Sequence, residues 1–138
     1  MNKKVKGLQI YICVFLLLCI SCVYRKIEKP VLKEDCKLVV PDTAKFSKHI
    51  LPIFQSTCGI PGCHYGSNPA GKLNLELSVA YKQITNPNKG YIDTLEPVNS
   101  VLYNSLTSPG NIMPPWGKLS DCQIETIMKW MAQKAKNN

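Results

Sequence analysis

The sequence is poor in histidine and has no long apolar run. Its two histidines are His49 and His64, so a zinc site would have few nitrogen ligands. The longest apolar run, Leu8–Ile20, spans about 13 residues, fewer than the roughly 20 needed to cross a hydrocarbon core. No Lys/Arg cluster is interleaved with aromatic residues, which argues against a nucleic-acid partner. Neither strand-like alternation nor an internal repeat is present, so the pattern favours a single all-α domain.

The first 21 residues have the organisation of a secretory signal peptide. Lys3, Lys4 and Lys6 form a basic start, the run Leu8–Ile20 follows, and Ser21 is a small residue at its end. An N-terminal membrane anchor is the alternative. Without these lysines, 14 basic and nine acidic residues remain, a net charge of +5. Such a charge is ordinary for an exported protein and favours an acidic partner.

Cys22 follows Ser21 directly, in the sequence LCISC of residues 18–22. This segment resembles the lipobox of bacterial lipoproteins, in which the cysteine after a small residue is lipidated and becomes the new N-terminus. Cys19 stands where the lipobox usually has leucine, and secretion without a lipid is the alternative. The resemblance implies an exported protein, lipid-anchored at Cys22 and located at the periplasmic face or the outer surface of a bacterial membrane.

Three segments follow from this organisation: a signal peptide over residues 1–21, a flexible tether over 22–35 and a folded domain over 36–138. The tether is rich in Lys and Glu and has no periodicity. Removal of the signal and lipidation of Cys22 would leave four cysteines, which are Cys36, Cys58, Cys63 and Cys122. In an oxidising compartment these four should be paired or otherwise consumed.

The domain pattern predicts about four short helices joined by long loops. Asp42 or Thr43 is the expected cap of the first helix, which Pro52 should kink or divide. The other predicted helices are one over 78–84 capped by Ser78, one over 99–106, and a last one capped by Ser120. Loops are predicted over 59–72 and 109–117. The last helix has an apolar stripe of Ile124, Ile127, Met128 and Met131. Long loops favour a domain that is organised by something inside it.

The most informative segment is Cys58–His64, with the sequence CGIPGCH. Covalent haem attachment uses two cysteines with a histidine directly after the second, usually with two residues between the cysteines. Here four residues separate them, and Gly59, Pro61 and Gly62 suit the tight bulge that the extra length needs. A structural disulfide and a zinc site are the alternatives for this segment. Zinc fits poorly, because adjacent Cys63 and His64 would have to turn toward one ion.

A second segment, Asn111–Ser120, has the sequence NIMPPWGKLS. Met113 lies 49 residues after His64 and directly before two prolines. Prolines restrict a loop, and a thioether held on a rigid loop is what a low-spin electron-transfer haem requires as its distal ligand. Most methionines fill gaps in cores, as expected for Met128 and Met131, and that explanation is weaker for Met113.

Together these segments resemble the mono-haem class I c-type cytochromes. The resemblance covers residues 46–135 and includes the helix segment Phe46–Ile53, the cysteines with His64, the loop Met113–Ser120 and the final helix with Trp130. It implies a cytochrome c-like fold wrapped around one covalently bound haem c. It also implies thioethers at Cys58 and Cys63, with His64 as proximal and Met113 as distal iron ligand.

The resemblance implies an electron-transfer protein, not an enzyme, because two axial ligands leave no open iron position. The implied partners are redox proteins of the cell envelope and, through the lipid, the membrane. No nucleic acid or small-molecule substrate is expected. The alternatives are a haem module of a larger redox or sensing complex, and a haem-free exported domain held by disulfides.

Cys36 and Cys122 remain after lipid and haem take three cysteines. Because the terminal helices cross in class I cytochromes, the resemblance implies that these two cysteines form a disulfide. Two unrelated buried thiols are the alternative.

Overall fold

The structure is a computed structural model that describes residues 36–138. The predicted signal peptide (1–21), the tether (22–35) and the lipidation residue Cys22 lie outside these residues, so their assignments stay predictions. The described residues contain four α-helices: α1 (Leu51–Thr57), α2 (Ala80–Ile84), α3 (Val101–Thr107) and α4 (Asp121–Ala132). Short 3₁₀ turns occupy Cys36–Leu38, Ala70–Lys72 and Pro97–Asn99. Over residues 36–138 there is no strand, which agrees with an all-α domain, and no helix there is long and apolar enough to span a membrane.

The first helical region is divided, as Pro52 predicted. A π-helical turn, Phe46–Ile50, runs directly into α1, and Pro52 lies in the first turn of α1. A proline is tolerated there because the N–H groups of a first turn have no intrahelical acceptor. The predicted caps Asp42 and Thr43 are wrong, because the turn begins after Lys45. The first N–H groups of this turn are bonded instead by Asn138, which lies far away in the sequence.

The remaining helices begin close to their predicted positions, with one different cap. Ser78 is not the cap of α2, which begins at Ala80 without a side-chain cap. The carbonyl of Glu76 accepts the N–H groups of Val79 and Ala80 instead, at 3.0 and 2.8 Å. The predicted cap Ser120 is confirmed: its hydroxyl accepts the Gln123 N–H at 3.2 Å, and the Gln123 side chain accepts the Ser120 N–H at 3.0 Å.

The core forms where α4 crosses the first helical region. Trp130 is fully buried, and its ring centroid lies 5.4 Å from that of Phe46. On the predicted stripe of α4, Ile124, Ile127 and Met131 are buried and Met128 is partly buried. Burial of each large side chain contributes about 1.5–3 kcal/mol, so this crossing fixes the two helices on which the loops are mounted.

The end of the chain completes the first helical region. The Asn138 side-chain oxygen accepts the Phe46 N–H at 2.9 Å, and the Asn138 backbone oxygen accepts the Ser47 N–H at 2.9 Å. At the other end of the domain, a disulfide joins Cys36 to Cys122, with the Cα atoms 5.1 Å apart. The first 3₁₀ turn is therefore attached to the first turn of α4.

Candidate functional site

The loop that carries the two cysteines begins where α1 ends. The N–H groups of Cys58 and Gly59 both donate to the Phe54 carbonyl, at 2.9 and 2.7 Å. Gly59 packs against the backbone of Leu75 so closely that a Cβ atom would lie 2.8 Å from the Leu75 oxygen. Gly62 has a φ of +83°, a left-handed conformation that favours glycine. Both glycines are thus needed for the bulge between Cys58 and Cys63.

His64 is held by hydrogen bonds from its backbone and its ring. Its N–H donates to the Cys58 carbonyl at 3.1 Å, and its carbonyl accepts the Leu75 N–H at 2.8 Å. The ring Nδ1 lies 3.0 Å from the carbonyl oxygen of Ala70. Because a carbonyl can only accept, Nδ1 carries the proton, and a neutral ring keeps its lone pair on Nε2. An imidazole oriented in this way is prepared to bind a metal through Nε2.

The cysteines of the loop are both free thiols in the structure, and both are partly buried. The disulfide alternative for Cys58 and Cys63 is therefore not formed. Burial raises the pKa of the Cys58 thiol, and negative charge on Cys63 raises it further, although a contact with Thr57 opposes the shift. The Thr57 Oγ1 lies 3.2 Å from the Cys58 Sγ. Cys58 is accordingly held as a thiol at neutral pH.

Met113 lies in the loop between α3 and α4. Its N–H donates to the carbonyl of Ser105 in α3 at 2.7 Å, which fixes the backbone at this position. Pro114, the next residue, is buried, whereas the Met113 side chain is 44% exposed when only protein atoms are counted. Buried Leu119 and the Ser120 cap attach the end of the loop to α4. The thioether is thus displayed at the surface of the protein from a restrained backbone.

Two neighbouring cavities bring the candidate residues together. Their volumes are about 220 and 210 Å³, and Cys58, His64 and Met113 line both. The first is also bounded by Cys63, by Thr57 and by residues 114–116. The walls of the second include the apolar side chains of Phe54, Leu73, Leu75, Ile84, Leu102 and Leu106. Sites for cofactors occupy roughly 300–1,000 Å³ and are mostly apolar with a few polar groups, which suits the two cavities taken together.

The donor set in these cavities is chemically suited to a covalently attached haem. Two thiols, one imidazole oriented by a carbonyl and one thioether face the same apolar space. Within residues 36–138, no three His, Cys, Asp or Glu side chains are grouped as ligands for one metal ion. The described residues of the cavities therefore hold no such cluster for a zinc ion, whereas two thiols, an imidazole and a thioether are the donors that a covalently attached haem would use.

Two residues of the cavity walls, Thr57 and Tyr91, belong to no motif by which the sequence could identify them. Thr57 follows no motif, and its role appears only from its contact with the Cys58 sulfur. Tyr91 lines the second cavity and donates its hydroxyl to the Gly71 carbonyl at 3.1 Å. That bond connects the loop after α2 to the loop that orients His64.

The chain was also compared with known proteins. No family model matches the sequence, and no curated protein or solved structure is significantly similar to it.

Proposed function

We propose that this chain is a mono-haem class I c-type cytochrome that transfers single electrons in the bacterial cell envelope and catalyses no reaction of its own. In this proposal the helices and long loops form a cytochrome c-like fold. Cys58 and Cys63 would hold one haem c through thioethers, with His64 as proximal and Met113 as distal ligand. The protein would be exported and anchored to a membrane by lipid at Cys22, and its partners would be redox proteins of the envelope.

One observation carries the proposal: His64 and Met113, 49 residues apart in the sequence, line the same two cavities together with Cys58. Their placement depends on the loop 59–72, which follows α1, and on the loop 109–117, which lies between α3 and α4. A bound haem supplies a one-electron iron couple, and methionine ligation together with burial raises its reduction potential.

The protein residues would bind the group, orient it and exclude water from it. The Ala70 carbonyl orients the His64 ring, and the Ser105 carbonyl restrains the backbone of Met113. The apolar side chains of the cavity walls would give the bound group surroundings of low polarity. Because His64 and Met113 are restrained by these hydrogen bonds, they would reorganise little when an electron is gained or lost, which suits electron transfer.

The first test is the absorption spectrum of the full chain produced with haem-maturation genes. We expect a sharp reduced α-band and colour that survives acid-acetone extraction. The Cys58→Ala, Cys63→Ala variant should lose all covalent haem. The Cys36→Ser, Cys122→Ser variant is the matched control, since it also removes two cysteines, and it should keep the haem. A colourless wild-type protein would leave the haem-free domain as the better description.

The second test examines the distal ligand. Met113→Ala should abolish the weak far-red sulfur-to-iron band of the oxidised protein and lower its potential, whereas Met128→Ala, on α4, should keep the band. Loss of the band in the control and not in Met113→Ala would show that the ligand is misassigned. The alternative is a sensing module in which Met113 yields to an external ligand. Carbon monoxide binding to the native reduced protein would support that alternative.

A further inference from the structure

The turn at the start of the described chain exposes two large apolar side chains. Leu38 is 97% and Val39 63% exposed, although the turn itself is firmly held. The disulfide Cys36–Cys122 attaches it to α4, and the N–H groups of Val39 and Val40 donate to the Cys36 carbonyl at 3.0 and 2.8 Å. Exposed apolar residues on a rigid turn have no packing role within the described domain, which suggests that they contact something else.

Basic residues adjoin this turn. Val39 and Pro41 line a surface hollow of about 250 Å³ together with Lys48 and His49. The charges of Lys45 and Lys48 act on His49, so the three basic residues are neighbours. The other walls of the hollow come from Ser120, Cys122, Gln123, Thr126 and Ile53, and none of them is acidic. The apolar turn therefore borders, through Val39, a hollow that contains the Lys48 ammonium group and the His49 ring.

His49 has one ring donor left for a ligand in this hollow. Its Nδ1 accepts the Lys45 N–H at 2.9 Å, so the proton of the neutral ring is on Nε2. The Lys48 ammonium group supplies further donors. Lysine and histidine donors suit a phosphate, and Leu38 and Val39 suit the acyl boundary that lies just below lipid phosphates.

We propose that Leu38, Val39, Lys48 and His49 form a docking site for an anionic phospholipid surface. This face would hold the domain against the membrane in one orientation, which goes beyond the proposed electron transfer. Residues 22–35 join the domain at Cys36, directly beside Leu38. A chain of 14 residues spans at most about 50 Å, so a lipid at Cys22 would keep this face at a high effective concentration near the membrane. Weak contacts between this face and the membrane are then sufficient to orient the domain, because the lipid and the face act together as two membrane-binding signals.

The test uses the mature chain, residues 22–138, with Cys22→Ser, exported behind a cleavable signal so that no lipid masks weak binding. Its sedimentation with vesicles of phosphatidylglycerol is compared with vesicles of phosphatidylcholine alone. We expect binding to the anionic vesicles only. The Leu38→Ser, Val39→Ser variant should lower the partition coefficient by about tenfold or more, and Lys48→Gln by about fivefold.

Matched controls distinguish binding through this face from non-specific hydrophobic adsorption and from an effect of overall charge. Leu95→Ser, Val98→Ser removes two other exposed apolar side chains, 78% and 50% exposed, and Lys89→Gln removes another exposed lysine. These controls should bind as the parent chain does. Circular dichroism and the haem spectrum of each sample report folding and haem content, so a failure of the haem proposal is recognised separately. Equal binding by the double variant and its control would overturn the proposal, as would equal binding to both kinds of vesicle. A dimer that Leu38→Ser, Val39→Ser dissociates, without any change in vesicle binding, would assign the face to a second copy of the chain.

Discussion

The ring nitrogen Nδ1 of His64 lies 3.0 Å from the carbonyl oxygen of Ala70, whereas Nδ1 of His49 lies 2.9 Å from the backbone nitrogen of Lys45. The first contact requires a proton on Nδ1 of His64, because the carbonyl can only accept. The second requires a lone pair on Nδ1 of His49, because the N–H can only donate. The two neutral histidines of the chain therefore have opposite tautomers.

We predict that both tautomers are visible in the chain produced without haem. A long-range ¹H–¹⁵N spectrum at pH 8 should show His64 protonated at Nδ1 and His49 protonated at Nε2. His49→Gln provides the assignment by removing one set of peaks. The same tautomer for both rings would contradict the structure at one of these two contacts.

The surroundings of His49 should make the stability of the protein depend on pH. Partial burial, then Lys48 and Lys45, lower the pKa of His49 below its ordinary value of about 6.5. The folded state therefore binds its proton more weakly than the unfolded state does, and protonation favours unfolding. The stabilisation is fully present above pH 6.5 and decreases as the pH falls toward the lowered pKa of the folded state.

Urea unfolding of the haem-loaded protein at pH 7.5 and pH 5 measures this effect. The wild type should be less stable at pH 5, and His49→Gln should lose less stability between the two pH values. An identical loss in both proteins would assign the pH dependence to other groups.

Two glycines of the cysteine loop should respond differently to substitution. Gly59→Ala places a Cβ 2.8 Å from the Leu75 oxygen, and overpacking of this kind costs about 1–3 kcal/mol. Gly62→Ala meets no neighbouring atom but retains a positive φ, which costs about 1–2 kcal/mol. Since Leu75 also binds the His64 carbonyl, Gly59→Ala should reduce the yield of covalent haem more than Gly62→Ala. Equal haem yields at equal expression would contradict this.

The Asn138 side chain accepts the N–H of Phe46, 92 positions earlier in the sequence, and this bond should stabilise the first helical region. Loss of a side-chain cap costs about 1 kcal/mol, so Asn138→Ala should lower the free energy of unfolding by about that amount. Asn137→Ala is the control, because Asn137 is exposed, and it should leave stability unchanged. If both substitutions have the same effect, the bond to Phe46 contributes nothing measurable.

These contacts show which parts of the fold a sequence can predict. The Ser120 cap and the stripe of α4 were predictable, because the cap joins residues three apart and the stripe follows the helical period. The start of the first helical region was not predictable. Its N–H groups are satisfied by Asn138 and His49, so the nearby candidates Asp42 and Thr43 were incorrect choices.

The candidate site also has a part that the sequence indicates and a part that depends on the folded structure. Residue type, spacing and resemblance selected Cys58, Cys63, His64 and Met113 as candidates, and their haem chemistry stays a prediction. Their meeting at shared cavities depends on how loops with many glycines and prolines fold, and that path follows no periodicity. The Thr57 contact and the Ala70 carbonyl also depend on this path, so they became identifiable only in three dimensions.

The disulfide between Cys36 and Cys122 gives the last prediction. It closes a loop with a sequence separation of 86 residues, which is worth about 4 kcal/mol in the chain-entropy model. Cys36→Ser and Cys122→Ser should each lower the thermal stability of the haem-loaded protein. The double variant should lose little more than either single variant, because both substitutions remove the same bond.

Thiol titration provides an independent measurement of the same bond. Denatured holoprotein of residues 22–138 with Cys22→Ser, exported behind a cleavable signal, should show no free thiol before reduction and two after it. Additive losses of stability in the two single variants, or two titratable thiols without reductant, would mean that the bond does not form. If the bond forms, Cys36→Ser detaches the turn bearing Leu38 and Val39 from α4, and vesicle binding by the proposed face should weaken in that variant.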